Sequence, residues 1–315
     1  MTDFALQYGD HVTRARRDGR PVVALESTLV SHGLPRPDNL RVAKEIEQTV
    51  RDNGAIPATI GMIGGKLVVG LSDDQIAHLA SAEDVAKLSL RDLALAAATG
   101  TDGATTVAAT SAVAAAAGIG VFATGGLGGV HREAGVTFDE SADLTTLART
   151  PIVVVCAGVK SILDVGATLE RLETLGVAVA GYRTRRFPGF FVTDGGFDVD
   201  WSLDSPAQVA DVIKARDEQG VSEAALIVAN PLPAGEQLDP ALHDRTLADG
   251  LRLRSEHGIT GKAVTPFLLS HFHSSTDGQS LAVNIRIILG NAALAAQITA
   301  AASPAPAHLG FSVPT

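Results

Sequence analysis

Cysteine is almost absent: Cys156 is the one thiol in 315 residues. It cannot close an internal disulfide, which fits a reducing, cytoplasmic setting. Basic residues form no run, aromatics reach only 4%, and the net charge is −10 with a pI near 5.3. A polynucleotide binder carries a basic patch, so this balance excludes a polynucleotide partner and leaves single nucleotides open. The N-terminal stretch MTDFALQYGDHVTRARRDGRP lacks the apolar core of a signal peptide. Leu93 to Val121 is apolar and Ala-rich, but Thr101, Asp102, Gly103, Thr105, Thr106 and Gly118 interrupt it. No clean span of ~20 apolar residues survives there, so no membrane segment is expected. Several common motifs are also missing. There is no G-x-x-x-x-G-K-[ST] and no G-x-S-x-G, and GGLGG does not match G-x-G-x-x-G. His271 and His273 form an H-x-H pair with no third ligand in view, and read as two loop histidines on a polar surface.

What is present concentrates in Val121 to Asp143. Three strand-type residues break into Gly125-Gly126 and Gly128-Gly129, and His131, Arg132, Asp139, Glu140 and Asp143 follow. Glycines admit a ligand close to the backbone and adopt dihedrals that other residues avoid. Amides freed in such a turn make an anion-binding concavity. His and Arg add charge against a phosphate, and the downstream carboxylates suit a hard metal ion held through water.

The rest of the chain alternates strand and helix. Pro21–Leu25 is a short apolar strand ending in Glu26-Ser27-Thr28. A carboxylate at the end of a buried strand lies where open α/β sheets carry their chemistry. Asp38 or Asn39 caps a helix to about Asn53, and Gly64-Gly65 is hairpin chemistry that calls for some antiparallel pairing. Lys87, Ser89, Arg91 and Asp92 form a polar cluster, and Thr105-Thr106 open a helix over Ala109–Ala117. Ile152–Cys156 is the clearest buried strand. The aromatic segment around Phe187, Phe190, Phe191 and Trp201 reads as a lid or a subunit contact. Lys262 and Thr265 fall in a loop, and residues 281–302 form a last helix with Asn284 near its start.

This pattern predicts a layered α/β/α sandwich with a mostly parallel, mixed central sheet. Residues 1–20 read as a short, polar, helical lead-in, 21–302 as a single domain, and 303–315 as a Pro-rich tail. No internal repeat is found.

Lys160 stands out by position. It follows the strand Ile152–Cys156, crosses Gly158, and opens a helix running to about Leu175. The positive end of a helix dipole opposes an ammonium and favours the neutral, nucleophilic amine. The residues by themselves fit a Schiff-base sugar-phosphate enzyme, such as an aldolase-type lyase, or a non-catalytic phosphosugar-binding module.

Ten segments, taken together, carry a resemblance. They are VALESTLVSHGLP, PATIGMIGGK, KLSLRDL, GATTVA, VFATGGLGGVHR, TFDESADL, VVVCAGVKSILD, VANPLP, GKAVTPFLL and SLAVNIRIILGNAALAAQIT. Over roughly Pro21 to Ala300 they resemble the pseudouridine-5′-phosphate glycosidase family. The lead-in, the HFHSSTDG segment and the tail depart from it. The resemblance implies reversible cleavage of the C–C glycosidic bond of pseudouridine 5′-phosphate, giving uracil and ribose 5-phosphate. It also implies a carbon–oxygen lyase class, acting as a hydro-lyase in the synthetic direction. By it, Lys160 holds the ring-opened sugar as an imine and Glu26 transfers the proton. Lys87, Val107, Ser141, Ala142 and Asp143 contact substrate, His131 and Asn284 fall among site residues, and Asp139 holds Mn²⁺. A homotrimer is implied as well.

Overall fold

The computed structural model of the protein describes residues 4–303. The Pro-rich tail beyond Ser303 and the side chain of Lys262 lie outside the described residues.

The strands are β1 (Leu6–Tyr8), β2 (Val22–Leu25), β3 (Ile56–Ile63), β4 (Lys66–Val69), β5 (Ala86–Leu88), β6 (Gly103–Thr105) and β7 (Val121–Ala123). They continue as β8 (Val153–Cys156), β9 (Ala178–Tyr182), β10 (Arg186–Phe187), β11 (Phe197–Asp198), β12 (Trp201–Leu203) and β13 (Leu226–Ala229). The α-helices are α1 (Asp10–Arg17), α2 (Asp38–Asp52), α3 (Asp73–Ser81), α4 (Leu93–Thr99), α5 (Val107–Ala116) and α6 (Ala134–Thr137). After them come α7 (Ala142–Leu147), α8 (Val165–Thr174), α9 (Pro206–Glu218), α10 (Pro240–Glu256), α11 (Val264–Ser275) and α12 (Gln279–Ala302).

One 11-stranded sheet runs β1-β4-β3-β2-β7-β8-β13-β9-β12, with β6 branching from β3 and β5 beside it. From β3 to β12 along this order every pair is parallel. The antiparallel pairing expected at Gly64-Gly65 is the β3–β4 hairpin, with Ile63 opposite Lys66. The central strands are apolar on both faces because helices cover both. Phe122, Val154 and Ile227 face α5, α7 and α8, in one cluster with Val113, Leu147 and Leu172. Val121, Val153 and Leu226 face α2, α9 and α12, with Ile46, Val209 and Ile298. The result is the expected α/β/α sandwich.

Several local expectations need correction. The lead-in is helical at α1 as expected, but it is also part of the fold: β1 pairs with β4, and α1 buries Val12 and Ala15. Short apolar side chains spaced along a polar segment were enough to seat it. Asn39 is no cap: it lies inside α2 and donates from Nδ2 to the carbonyls of Val30 and Ala80, at 2.8 and 2.9 Å. His271 and His273 are not in a loop but on α11, where Val264, Leu268 and Phe272 form the buried face. Phe187, Phe190 and Phe191 are core residues in one cluster with Phe272, so much of the aromatic segment is packing and not a lid. Trp201 on the edge strand β12 is exposed. By length and composition α12 could cross a membrane, yet 56% of its most apolar window is buried. It packs between α2 and α9 and onto β7 and β8, as a core helix does.

Candidate active site

Parallel strands deliver their carboxyl ends to one edge of the sheet, and neighbouring β2, β7 and β8 do so side by side. Glu26 leaves β2, Thr124 to Gly129 leave β7, and Lys160 follows β8. Here chain order along the sheet switches direction, the position where α/β sheets open a crevice. The crevice is a cleft of about 320 Å³, lined by Glu26, Lys87, Val107, His131, Asp139, Ser141, Ala142, Asp143 and Lys160. Nine of the ten residues singled out in the sequence therefore meet in one cavity. The tenth, Asn284, lines an adjoining space together with Glu26, Lys87 and Lys160.

Glu26 sits on the cleft floor. Thr124 Oγ1 donates a short hydrogen bond to its Oε1. Burial drives the Glu26 pKa above the usual carboxylate range. Nearby Lys160, the Thr124 hydroxyl and Lys87 oppose that rise, while Asp143 adds to it. Thr124 is in turn held from behind: Asn291 Nδ2 donates to its carbonyl at 2.8 Å, and Asn230 Nδ2 donates to Asn291 Oδ1 at 3.0 Å. Neither Thr124 nor Asn291 was singled out in the sequence. The signals were a hydroxyl immediately after a buried strand, and an amide among the apolar residues of a long helix.

Lys160 is positioned by an extension of β8 and not by a helix. Its amide donates to Leu127 O at 3.1 Å, and Val159 bridges Leu127 in parallel. The next helix begins only at Val165, capped by Asp164, whose Oδ1 accepts from Ala167 N at 2.9 Å. The expectation that Lys160 opens a helix is thus corrected: Asp164 is the better cap, so the chain turns through Ser161–Leu163 first. Just upstream, burial pushes the Cys156 thiol up to about 12, which removes it as a nucleophile.

The glycine run has a different role from the expected anion nest. Gly126, Gly128 and Gly129 do not have positive φ. Each is needed for close approach: a Cβ on Gly126 would lie 2.6 Å from Phe190, on Gly128 2.3 Å from Ser141 Oγ, and on Gly129 2.4 Å from Thr168 Oγ1. Three amides of the turn are also engaged. Leu127 N donates to Gly158 O, Gly128 N to Asp143 Oδ2 and Val130 N to Thr168 Oγ1. Asp143 is buried and accepts from both Gly128 N and Ala108 N, at 2.8 and 2.9 Å. It ties the glycine turn to the first turn of α5, beside Val107. Replacing Gly128 by Ala should therefore displace Ser141 and Asp143 and cost ~1–3 kcal/mol. Thermal unfolding reads this directly, and an unchanged midpoint would show that Ser141, whose Oγ caps α7 by accepting from Asp143 N, yields freely.

Among the cleft's other charges, Glu140 pairs with Arg171 at 3.0 Å. Asp139 is partly exposed, 3.9 Å from His131 Nδ1. Burial holds His131 below its ordinary pKa, Asp139 opposing and Arg254 reinforcing that shift. Among the described residues, no three His, Cys, Asp or Glu side chains group closely enough to hold a metal ion by themselves. The donor chemistry of Asp139 fits a hard cation that keeps most of its water.

A parallel α/β sheet whose strand ends bring a lysine, a buried carboxylate and flanking cations into one cleft defines an enzyme for small anionic substrates. Residues 11–301 match the family described as indigoidine synthase A like protein. The pseudouridine-5′-phosphate glycosidase of Salinispora tropica is 75% identical over 96% of this chain and 94% of its own. That of Streptomyces griseus is 58% identical over 93% and 91%. Among solved structures, the prealnumycin C-glycosynthase AlnA in complex with ribulose 5-phosphate superposes with a TM-score of 0.87. It is 38% identical and covers 96% of this chain and 98% of its own. An indigoidine synthase A-like protein of Thermotoga maritima gives 0.85 at 33% identity, over 95% and 97%. The chain belongs to this family, whose members include the pseudouridine-5′-phosphate glycosidases.

Proposed function

We propose that the protein cleaves pseudouridine 5′-phosphate reversibly to uracil and ribose 5-phosphate through a lysine imine. The observation that carries this reading is the meeting of Lys160 and Glu26 on one cleft floor, with Lys87 on the same wall. Two similar proteins bear that glycosidase name, and the AlnA structure holds a sugar phosphate.

Uracil C5 is a carbon leaving group, so ordinary protonation of an exocyclic oxygen cannot break the bond. In the proposed sequence Lys160 Nζ bonds to C1′ as the ring oxygen O4′ departs and takes a proton. The nitrogen lone pair then forms the C=N bond while the C1′–C5 pair goes to the base, where C5 is protonated. Water hydrolyses the imine, freeing ribose 5-phosphate and the amine. Glu26, with its raised pKa, is the proton carrier. Lys87 faces the phosphosugar oxygens, and Val107, Ser141, Ala142 and Asp143 shape the wall around them. His131 and Asn284 complete the site. Incubating the protein with pseudouridine 5′-phosphate and Mn²⁺ should release free uracil, and its absence would reject the reading.

Asp139 is the residue proposed to hold Mn²⁺, which would supply positive charge against substrate oxygens. Chelation is expected to remove most activity, and added Mn²⁺ to restore it. Full activity after exhaustive chelation would reject a metal role for Asp139. The proposal extends to a homotrimer in the cytoplasm and to the lyase class. Support for assembly comes from Leu95, Val136 and Phe138, large apolar side chains that are 69%, 86% and 87% exposed in the single chain. Light scattering tests it.

A further inference from the structure

Three spaces join end to end at the candidate site. The charged cleft of about 320 Å³ shares Glu26, Thr28, Lys87, Lys160 and Thr265 with a narrow neck of about 50 Å³. The neck shares His32, Gly33, Pro266, Leu269 and Asn284 with a further chamber of about 210 Å³. That chamber passes Asn284 and reaches the exposed Ser270 on α11.

The two ends differ in charge. The cleft carries Lys87, Arg91, His131 and several carboxylates. No Asp, Glu, Lys or Arg lines the chamber. Its nearest titratable group to the neck, His32, is held below its ordinary pKa by burial first and by Lys87 second, which keeps it neutral. A phosphate would lose its hydration in such a space with no cation to replace it. A neutral, planar nucleobase suits it. Leu34, Pro35, Leu269 and Leu281 offer apolar surface for its faces. Asn284 and His273 line the same space, and their Oδ1 and Nδ1 atoms are buried with no hydrogen-bond partner in the protein.

We propose that this uncharged arm behind Asn284 is a separate route by which the nucleobase leaves and re-enters, while the phosphosugar uses the charged cleft. The inference rests on the proposed glycosidase function. In that reaction both products arise at one point, and the sugar stays covalently on Lys160 when the base must depart. Ribose phosphate then fills the cleft between Lys160 and the cationic wall. The neck begins at Glu26 and Lys160 and leads to the chamber instead of back through the cleft, so the base can leave without passing the sugar. Pro266 and Leu269, both on α11, form the wall of the neck that must move aside.

The test uses the full chain with Mn²⁺. Ser270→Cys is folded first and then labelled with a bulky maleimide, while Cys156 is buried and stays unlabelled. Two rates are read: synthesis from limiting uracil at saturating ribose 5-phosphate, and borohydride trapping of ribose 5-phosphate alone. Labelling is expected to lower kcat/KM for uracil roughly tenfold, as gating steps do, and to leave trapping unchanged. Unlabelled Ser270→Cys should match the wild type in both. An unchanged kcat/KM for uracil after labelling, or an equal fall in both rates, would overturn the separate route. A wild type that neither traps ribose 5-phosphate nor makes pseudouridine 5′-phosphate would instead reject the glycosidase reading, and the route with it.

Discussion

Borohydride added during turnover of pseudouridine 5′-phosphate is expected to fix a reduced ribose-phosphate adduct on the peptide that carries Lys160. Lys160→Ala should show no adduct, and its uracil release should fall on the order of 10⁴-fold or more, as when a nucleophile is removed. The expectation follows from where the amine stands. Val159 and the Lys160 amide are pinned to Leu127, so the lysine is fixed at its backbone beside the glycine turn. Gly158 sets the bend before it: φ is +80°, and a Cβ there would lie 2.4 Å from Pro188 O. The strand VVVC that leads to it is buried along its whole length. The variant should keep its affinity for substrate through Lys87 and the opposite wall. Intact mass and peptide mapping read the adduct, and ultraviolet assay of uracil reads the turnover. An adduct on Lys87 or Lys262 would move the nucleophile while keeping the imine chemistry. Uracil release by Lys160→Ala at the wild-type rate would remove the covalent mechanism. An adduct formed without uracil release by the wild type would favour the aldolase-type lyase.

The layers of the fold were legible because central parallel strands must be apolar on both faces. Ile152–Cys156 and Pro21–Leu25 announced themselves as short, unbroken apolar runs. Glu26 and Lys160 were legible for the same reason, since polar residues at or a few positions beyond the end of such runs must lie at a sheet edge. What a strand-by-strand reading misses is lateral. Nothing in the order of residues says that β7 lies between β2 and β8, and without that neighbour relation Thr124 has no visible link to Glu26. The GGLGG run misled in an instructive way. Glycine there serves close packing against Phe190, Ser141 and Thr168, and a sequence cannot distinguish room for a ligand from room for a side chain. The helix expected at Lys160 failed because Asp164 caps a better start four residues on.

The last expected result concerns Glu26→Gln, which should keep the fold and lose about 10²-fold or more in turnover. Gln preserves the shape and still offers Oε1 to the Thr124 hydroxyl, so the floor of the cleft stays packed. What it cannot do is carry a proton to C5 or accept one back. The pH dependence gives a second, independent reading. Burial raises the Glu26 pKa, so the folded state holds its proton at pH values where the unfolded chain has released it. With more protons bound in the folded state, stability falls as pH rises from the ordinary carboxylate range through the raised folded value. Lys160, Thr124 and Lys87 soften the effect without reversing its direction. The contribution is full below the unfolded pKa and lost above the folded one. Glu26→Gln has no proton to exchange there, so its unfolding midpoint should vary less with pH across that window than the wild type's. Turnover and thermal unfolding across the acidic to neutral range check both halves. A near-normal rate would reduce Glu26 to a structural acid on the cleft floor. An identical pH slope in both proteins would show that its carboxylate is not held protonated by burial.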